Sequence, residues 1–323
     1  MGRWQPGRPA GPAVPLAGAL SADSGLVIVD KPGGWTSHDV VARIRRLAGT
    51  RRVGHAGTLD PLATGVLVAG VGKATRLLGH LMLTEKEYVA TIRLGQATDT
   101  ADAGGTVTGG APAAGLDPGR IRAAAAALTG DIEQVPPAVS AIKVNGQRSY
   151  KLARQGAAPV LAARPVTVRE FAIGELRPGG LPGSAGDGGD VLDVDVRVVC
   201  TSGTYIRALA RDLGDALGVG GHLTMLRRTR VGPYDLSRAR TLDELAASFG
   251  LIPLAAAAAA AFPARQLTDD QARVLSHGGV LSVPGPAPGG GTGPVAAFAP
   301  DGTFVALVAE ERGQARPVAV FVP

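Results

Sequence analysis

The densest run of reactive and turn-forming residues in the chain is Gly54-His55-Ala56-Gly57-Thr58-Leu59-Asp60-Pro61-Leu62-Ala63-Thr64-Gly65. Pro61 disfavours the right-handed helical region at Asp60, so that carboxylate stands on a turn, between glycines that let a ligand approach the backbone closely. A carboxylate presented this way can serve as a nucleophile or as a general base. Asp followed by Pro is also the signature of a helix N-cap with proline at the first helical position, and the pair alone leaves both readings open.

Other chemistries fail on spacing. Gly70-Val71-Gly72-Lys73 suggests a phosphate loop, but Ala74 stands where Ser or Thr would hold magnesium, and Leu67 occupies the place of the first glycine. A dinucleotide fingerprint on the same residues lacks its third glycine, since position 75 is Thr. The histidines His38, His55, His80, His222 and His277 show no metal-ligand spacing, so no metal site and no cofactor is expected. Cys200 is the only cysteine; it can form no internal disulfide, which suits a reducing compartment, the cytoplasm.

Composition narrows the class further. Hydrophobic residues make up 45% and charged residues 19% of 323, which excludes disorder throughout and allows a sizeable core. The formal net charge is +6 with arginine well ahead of lysine, and the guanidinium fork matches phosphate oxygens, so a polyanionic partner is favoured. Arg3 and Arg8 ahead of an apolar stretch imitate a secretory leader, but Pro12 and Pro15 interrupt it and no run is long enough to span a membrane. Residues 1–23 are therefore expected to form a disordered extension.

The Asp60 segment resembles the catalytic motif of the TruB family of tRNA pseudouridine synthases. The resemblance continues through Gly130-Asp131-Ile132-Glu133-Gln134-Val135-Pro136-Pro137, Ser140-Ala141-Ile142-Lys143, Tyr150 with Ala153-Arg154-Gln155-Gly156, Ala163-Arg164-Pro165-Val166-Thr167-Val168 and Ser202-Gly203-Thr204-Tyr205-Ile206-Arg207. It covers residues 24 to 245 or so. It implies isomerisation of uridine 55 in the T loop of tRNA by base flipping, without guide RNA or cofactor, in a monomer with no obligate protein partner. Asp60 then takes the place of the family's essential aspartate, Tyr88 of the tyrosine that stacks on the flipped uracil, and Arg207 of the arginine that pairs with the aspartate. His55 matches the histidine that helps displace the nucleotide, Tyr205 a pocket residue, Leu226 an apolar wall, and Lys31 a motif residue that supports the site.

For RNA grip, the resemblance makes residues 135–164 an insertion that clamps the T arm, with Lys143, Arg148, Lys151 and Arg154 as phosphate partners. Arg227, Arg228 and Arg230 are weaker candidates. Each residue also has a plainer reading from its own surroundings: Tyr88 as an aromatic on a half-buried strand, His55 as a turn residue, the basic cluster as a solvated face. A cation in the first turn of a helix opposes the macrodipole, so Arg207 in that position calls for a carboxylate partner. Two rivals share the motifs: a non-catalytic tRNA folding chaperone, and an RNA-guided pseudouridine synthase.

The elements that must carry these residues are legible as a mixed α+β pattern without regular βαβ alternation. Gly25 to Asp30, Val66 to Ala69, Glu87 to Leu94, Val166 to Leu176 and Val191 to Cys200 read as strands. Thr36 with Asp39 opens a helix whose stripe is Val40, Val41, Ile44 and Leu47, with Arg43, Arg45 and Arg46 facing elsewhere and Gly49 at its end. Asp117, Pro118 and Gly130 bracket an alanine-rich helix; Ile206, Leu209, Ala210, Leu213 and Leu217 form another stripe; Thr241 with Glu244 opens a third, which Gly250 stops. The resemblance supplies the architecture: a pseudouridine synthase fold with a mixed, largely antiparallel sheet flanked by helices over residues 24–262, and a PUA-like domain over 263–323. In that last stretch Thr268 and Gln271 form a capping box, Gly278-Gly279 ends the helix, and Pro294 to Phe298 and Phe304 to Ala309 look like strands. Pro178 to Gly189 and Ser282 to Pro294 read as linkers or long loops, and the run Ala255 to Ala261 as helix.

Overall fold

The computed structural model describes residues 24–137, 143–144, 147–148, 161–179, 190–285, 287 and 293–322. The chain divides into a large unit, Gly25–Leu251, and a C-terminal unit that opens at Ile252.

The large unit begins with β1 (Gly25–Lys31), α1 (Ser37–Leu47), β2 (Val53–Ala56), β3 (Thr64–Val71), the short α2 (Leu78–Met82) and β4 (Lys86–Leu94). A small ladder of β5 (Ala97–Thr98) and β6 (Val107–Gly109) precedes α3 (Pro118–Ala127) and β7 (Gly130–Gln134). A hairpin of β8 (Lys143–Val144) and β9 (Gln147–Arg148) is followed by β10 (Arg164–Pro178), β11 (Leu192–Cys200), α4 (Ile206–Leu217), β12 (Gly221–Val231), β13 (Tyr234–Asp235) and α5 (Leu242–Ala247).

The local signals act as expected. Thr36 accepts from the Asp39 backbone at 3.1 Å while the Asp39 carboxylate accepts from the Thr36 N–H at 2.9 Å, closing a capping box on α1, whose Val40, Val41 and Ile44 are buried. Asp117 caps α3 with Pro118 at its first position, and Gly218, at φ 75°, ends α4 in the left-handed region. The expected strands run one or two residues longer than their apolar cores in most cases: β3 reaches Thr64 and Val71, and β10 reaches Arg164 and Pro178.

The large sheet has the order β1-β3-β12-β4-β11-β10-β7, with β2 on β3 and β13 on β12. Among its described pairings only β3 with β12 is parallel, matching Arg227 with Thr64 and Arg228 with Gly65. The sheet is thus mixed and largely antiparallel. β12 was not legible as a strand, because four polar residues in its second half, Arg227, Arg228, Thr229 and Arg230, break the apolar alternation; it nonetheless lies at the centre, between β3 and β4. A core of Val40 and Ile44 from α1, Ile121 from α3, Leu209 and Leu213 from α4, and Ile92 and Val198 from the sheet sits between sheet and helices.

The C-terminal unit holds β14 (Ile252–Pro253), α6 (Leu254–Ala261), β15 (Ala264–Gln266), α7 (Asp269–Ser276), β16 (Leu281–Ser282), β17 (Val295–Phe298), β18 (Phe304–Glu311) and β19 (Gln314–Val320). The alanine run is helical, and the Thr268–Gln271 capping box opens α7. A sheet of order β15-β17-β18-β19-β16 buries Leu267, Leu275, Val295, Val305 and Val308 in a core of its own. No helix of the described residues is long and apolar enough to cross a membrane.

Candidate active site

The Asp60 segment leaves β2, crosses to β3 and contains no helix between Gly57 and Ala63. Asp60 caps nothing: its carbonyl accepts from the Ala63 N–H at 3.1 Å in a turn, and its carboxylate is 41% exposed. Other groups fix this turn from behind. The buried Ser37 hydroxyl accepts from the Leu59 N–H at 2.9 Å and donates to the Leu59 carbonyl at 3.1 Å. Pro61 accepts from the Gly34 N–H at 2.8 Å. Lys31, fully enclosed, donates to the carbonyls of Pro32 and Trp35 at 2.9 and 2.7 Å and reaches that of Pro61 at 3.5 Å. Its ammonium is taken up by backbone and holds the loop; burial lowers its pKa to about 8, against the opposing pull of Asp60.

Arg207 stands in the first turn of α4, and its carboxylate partner is there: Nε donates to Asp60 Oδ2 at 2.9 Å. The same Nε lies 3.6 Å from Asp102 Oδ2, and Nη1 donates to the Thr100 carbonyl at 2.9 Å. Asp102 is itself held by the Thr100 hydroxyl at 2.7 Å and the Gly104 N–H at 3.0 Å, beside Ala101, whose φ of 58° lies in the left-handed region. Arg207 therefore joins two carboxylates, of which only Asp60 is substantially open to solvent: their side chains are 41% and 14% exposed.

The start of α4 has no side-chain cap of its own. In its place the buried Gln134 side chain, at the end of β7, accepts from the Tyr205 N–H at 2.8 Å and donates to the Tyr205 carbonyl at 3.2 Å. One turn further on, Arg211 donates to the Val135 carbonyl at 2.8 Å. The helix that carries Arg207 is thus fastened to the strand that leads into residues 135–164.

A cavity of about 300 Å³ opens over Asp60 and is lined by Tyr88, Tyr205, Arg207 and Leu226, together with Lys86 and Arg228. Tyr88 is buried on β4, where loss of hydration raises its pKa against the opposing pull of the Arg228 guanidinium. Leu226 and Arg228 are two apart on β12, so they share a face, and Arg228 lies across from Tyr88 in one register and from Gly65 in the other. Arg228 is 1% exposed and donates to Val66 O at 2.8 Å and Gly57 O at 3.1 Å. It is no phosphate contact but part of the pocket wall. Arg227 is paired with Asp30 at 2.7 Å, and Arg230 lies 3.7 Å from Glu87, so the three arginines grouped as weaker RNA candidates have three separate structural engagements.

Lys86, Arg228, Asp102 and Gln134 escaped the sequence reading of the site. For Lys86 a signal existed: it is two positions from Tyr88, a recognised pocket residue on a strand legible in the sequence. Lys86 is 5% exposed, donates to Met82 O and Thr84 O at 2.7 and 2.6 Å, and has its pKa lowered to about 8, first by burial and then by Arg228.

His55 lies on β2 opposite Ala69 and does not line the cavity. Burial, then His38, lowers its pKa, its Nδ1 is enclosed without a partner, and its ring meets that of His38 edge-on with centroids 5.9 Å apart. Lys143 and Arg148 face each other across the β8–β9 hairpin by their backbones. Lys151 and Arg154 lie outside the described residues. Among the described residues no cluster of His, Cys, Asp or Glu could hold a metal ion.

Comparison with known proteins shows the family. Residues 45–206 match the family model "TruB family pseudouridylate synthase (N terminal domain)", residues 207–252 "tRNA pseudouridylate synthase B C-terminal domain", and residues 262–322 "tRNA Pseudouridine synthase II, C terminal". A tRNA pseudouridine synthase B from Thermobifida fusca is 61% identical over 92% of this chain and 98% of its own, and that from Mycobacterium ulcerans 53% identical over 93% and 95%. Among solved structures, a chain of an H/ACA ribonucleoprotein bound to a substrate RNA containing 2′-deoxyuridine superposes with a TM-score of 0.68 at 27% identity, covering 93% of this chain and 85% of that one. A chain of a Cbf5-Nop10-Gar1 complex gives 0.66 at 27% identity, covering 92% and 84%. With its α+β sheet, its Asp60–Arg207 pair and these matches, the chain belongs to the TruB family of pseudouridine synthases and has the pseudouridine synthase fold.

Proposed function

We propose that the chain isomerises uridine 55 in the T loop of tRNA to pseudouridine, with Asp60 as the attacking group, acting as a cytoplasmic monomer without guide RNA or cofactor. The observation that carries this reading is a solvent-reachable carboxylate, held by a buried arginine 2.9 Å away, at a cavity of about 300 Å³ walled by Tyr88 and Leu226. A target base inside a folded loop is out of reach of any side chain until it is extruded, and an apolar wall facing an aromatic ring suits an extruded pyrimidine.

The reaction breaks the N1–C1′ bond, turns the uracil, joins C5 to C1′, releases the proton from C5 and protonates N1. Asp60 takes the sugar carbon or a neighbouring proton during cleavage, and Arg207 keeps its carboxylate aimed. Tyr88 supports the turned ring and carries a phenol that stays protonated across the neutral range, suited to handing protons rather than accepting them. Tyr205, fastened through its backbone by Gln134, completes the rim. His55 is not among the cavity-lining residues; in this reading it acts from β2, in the segment that leads to Asp60, and helps displace the nucleotide. Residues 135–164 grip the T arm through Lys143, Arg148, Lys151 and Arg154.

The T. fusca relative, at 61% identity over nearly its whole length, is named as acting on tRNA, which supports the stand-alone reading over an RNA-guided one. The test is to incubate the purified chain with unmodified tRNA transcript, with no other RNA present, and to map pseudouridine. Uridine 55 is expected to convert, and Asp60→Asn to lose the activity by about 10³-fold or more while binding tRNA nearly as well. Conversion only when a guide RNA is added, or a fully active Asp60→Asn, defeats the proposal.

A further inference from the structure

The cavity lining contains three cations, Lys86, Arg207 and Arg228, against one carboxylate, Asp60. Arg207 is matched by Asp60 and Asp102. Lys86 and Arg228 have no carboxylate at ion-pair distance among the described residues, although they are only 5% and 1% exposed. Cys200, across from Lys86 in the β4–β11 register, supplies no negative charge, since burial pushes its thiol up to about 11. Both cations crowd the same point of the catalytic loop: a Cβ on Gly57 would meet Arg228 Nη1 at 3.5 Å and Lys86 Cε at 3.7 Å.

Backbone carbonyls offset part of the cost of burying these charges, but neutral donors could serve those carbonyls as well, so hydrogen bonding alone does not call for ammonium and guanidinium here. Nor does RNA backbone. A phosphate stays on the solvent side of the mouth, whereas these two groups are met only by something that enters the cavity, and what enters is a base.

We propose that Lys86 and Arg228 form a fixed cationic wall that stabilises the negative charge on the detached uracil, an inference that rests on the function proposed above. When the N1–C1′ bond breaks heterolytically, its electron pair stays with the base and spreads from N1 over O2 and O4, making uracil a monoanion. The sugar carbon is taken by Asp60, or yields a neighbouring proton to it. The base then rejoins through C5, returning a pair to C1′; the C5 proton leaves to solvent or a nearby base and N1 takes up a proton, so the product is the neutral isomer. Through the interval of detachment the negative charge has passed from Asp60, now an ester or a carboxylic acid, to the base inside the cavity. Preorganised positive charge in a water-poor cavity is the arrangement that lowers the energy of that state without reorganisation.

The test uses RNA T stem-loops carrying uridine or 5-fluorouridine at the target position, under single-turnover conditions. Consumption of the target nucleoside is followed by chromatography of nuclease digests; this reads N1–C1′ cleavage and does not depend on the fate of the C5 substituent. Fluorine withdraws electrons and makes uracil a better leaving group, so an enzyme deprived of its cationic wall is expected to depend more steeply on that help. Lys86→Met should lose about 10²-fold on uridine and about 10-fold or less on 5-fluorouridine. Arg228→Lys, which keeps the charge, should lose nearly the same factor on both. If Lys86→Met does not fold, Lys86→Gln, a neutral donor, carries the same comparison. Equal losses on the two RNAs in the neutral variants, with an active wild type, overturn the cationic wall alone. A wild type that makes no pseudouridine from uridine overturns the proposed function, and this inference with it.

Discussion

Nε of Arg207 stands 2.9 Å from Oδ2 of Asp60, joining residues 147 positions apart, one in the first turn of a helix and the other on a turn between strands. The arginine is buried and further tied to Thr100 O, while the carboxylate side chain is 41% exposed. The fixed partner aims the reachable one.

Arg207→Lys keeps the charge but replaces a planar fork, which serves Asp60 and Thr100 O at once, by a point donor. Single-turnover pseudouridine formation should fall about 10²-fold, as expected for a slightly misplaced reacting group, with tRNA affinity little changed. A variant as fast as the parent would show that the aim of Asp60 is set elsewhere.

Stability should rise with pH over a narrow window. Lys31 and Lys86 ordinarily titrate at 10.5 and do so at about 8 in the fold, so above about pH 8 the unfolded chain holds protons that the folded chain has released. Unfolding then becomes harder as pH increases. From about pH 9 the opposite effect enters, because Cys200 is raised from 9.0 to about 11 and Tyr234 from 10.0 to about 12, and the folded chain keeps protons that the unfolded chain gives up. Urea midpoints should climb from about pH 8, more slowly above about pH 9, and level off or fall above about pH 10, with a shallower climb in Lys31→Met. An identical slope in the variant would remove Lys31 from this account.

Gln134→Ala removes the side-chain acceptor of the Tyr205 N–H and one of three donors to the Tyr205 carbonyl, which keeps the Ala208 and Leu209 N–H groups. The loss should be about 1–2 kcal/mol in urea unfolding, the cost of a hydrogen bond removed at a buried site. Because Arg207 is two residues further on, kcat should drop as well, and KM for tRNA much less. A change in KM alone would mean that Gln134 serves RNA binding only.

Two glycines with similar backbone demands should respond differently to alanine. Gly34, at φ 79°, has nothing within 4 Å of the place an added methyl would take, so Gly34→Ala should cost only the left-handed strain, about 1–2 kcal/mol. At Gly65, φ 98°, the methyl would fall 2.2 Å from the Arg228 carbonyl across the parallel pairing, and Gly65→Ala should exceed about 4 kcal/mol or give no folded protein. Melting curves of the two variants decide; equal effects would mean that the β3–β12 contact yields easily.

The parts of the site that sequence made legible are those whose local rules and tertiary roles coincide. Asp60 before a proline, Tyr88 on an alternating strand and Arg207 at the unfavourable end of a helix each carry a local signature, and the last one called for the carboxylate it has. What stayed hidden runs against local rules. Arginines at 227, 228 and 230 read as a basic surface, but the pleat of β12 and its register shift between Arg228 and Arg230 send Arg228 inward and leave its neighbours to Asp30 and Glu87. Gln134 is an ordinary polar residue in sequence; only the tertiary meeting of β7 with α4 makes it a cap. Such placements cost desolvation locally and are decided by partners far along the chain.

Because β12 is inserted between β3 and β4, which precede it by more than a hundred residues, the wall bearing Leu226 and Arg228 is the last part of the cavity to leave the ribosome. A nascent chain that already displays Asp60 and Tyr88 has an open seam where that strand belongs, so competence arrives in one late step, and shortened products ending before Gly221 should be inert towards RNA chemistry even where their earlier segments have collapsed.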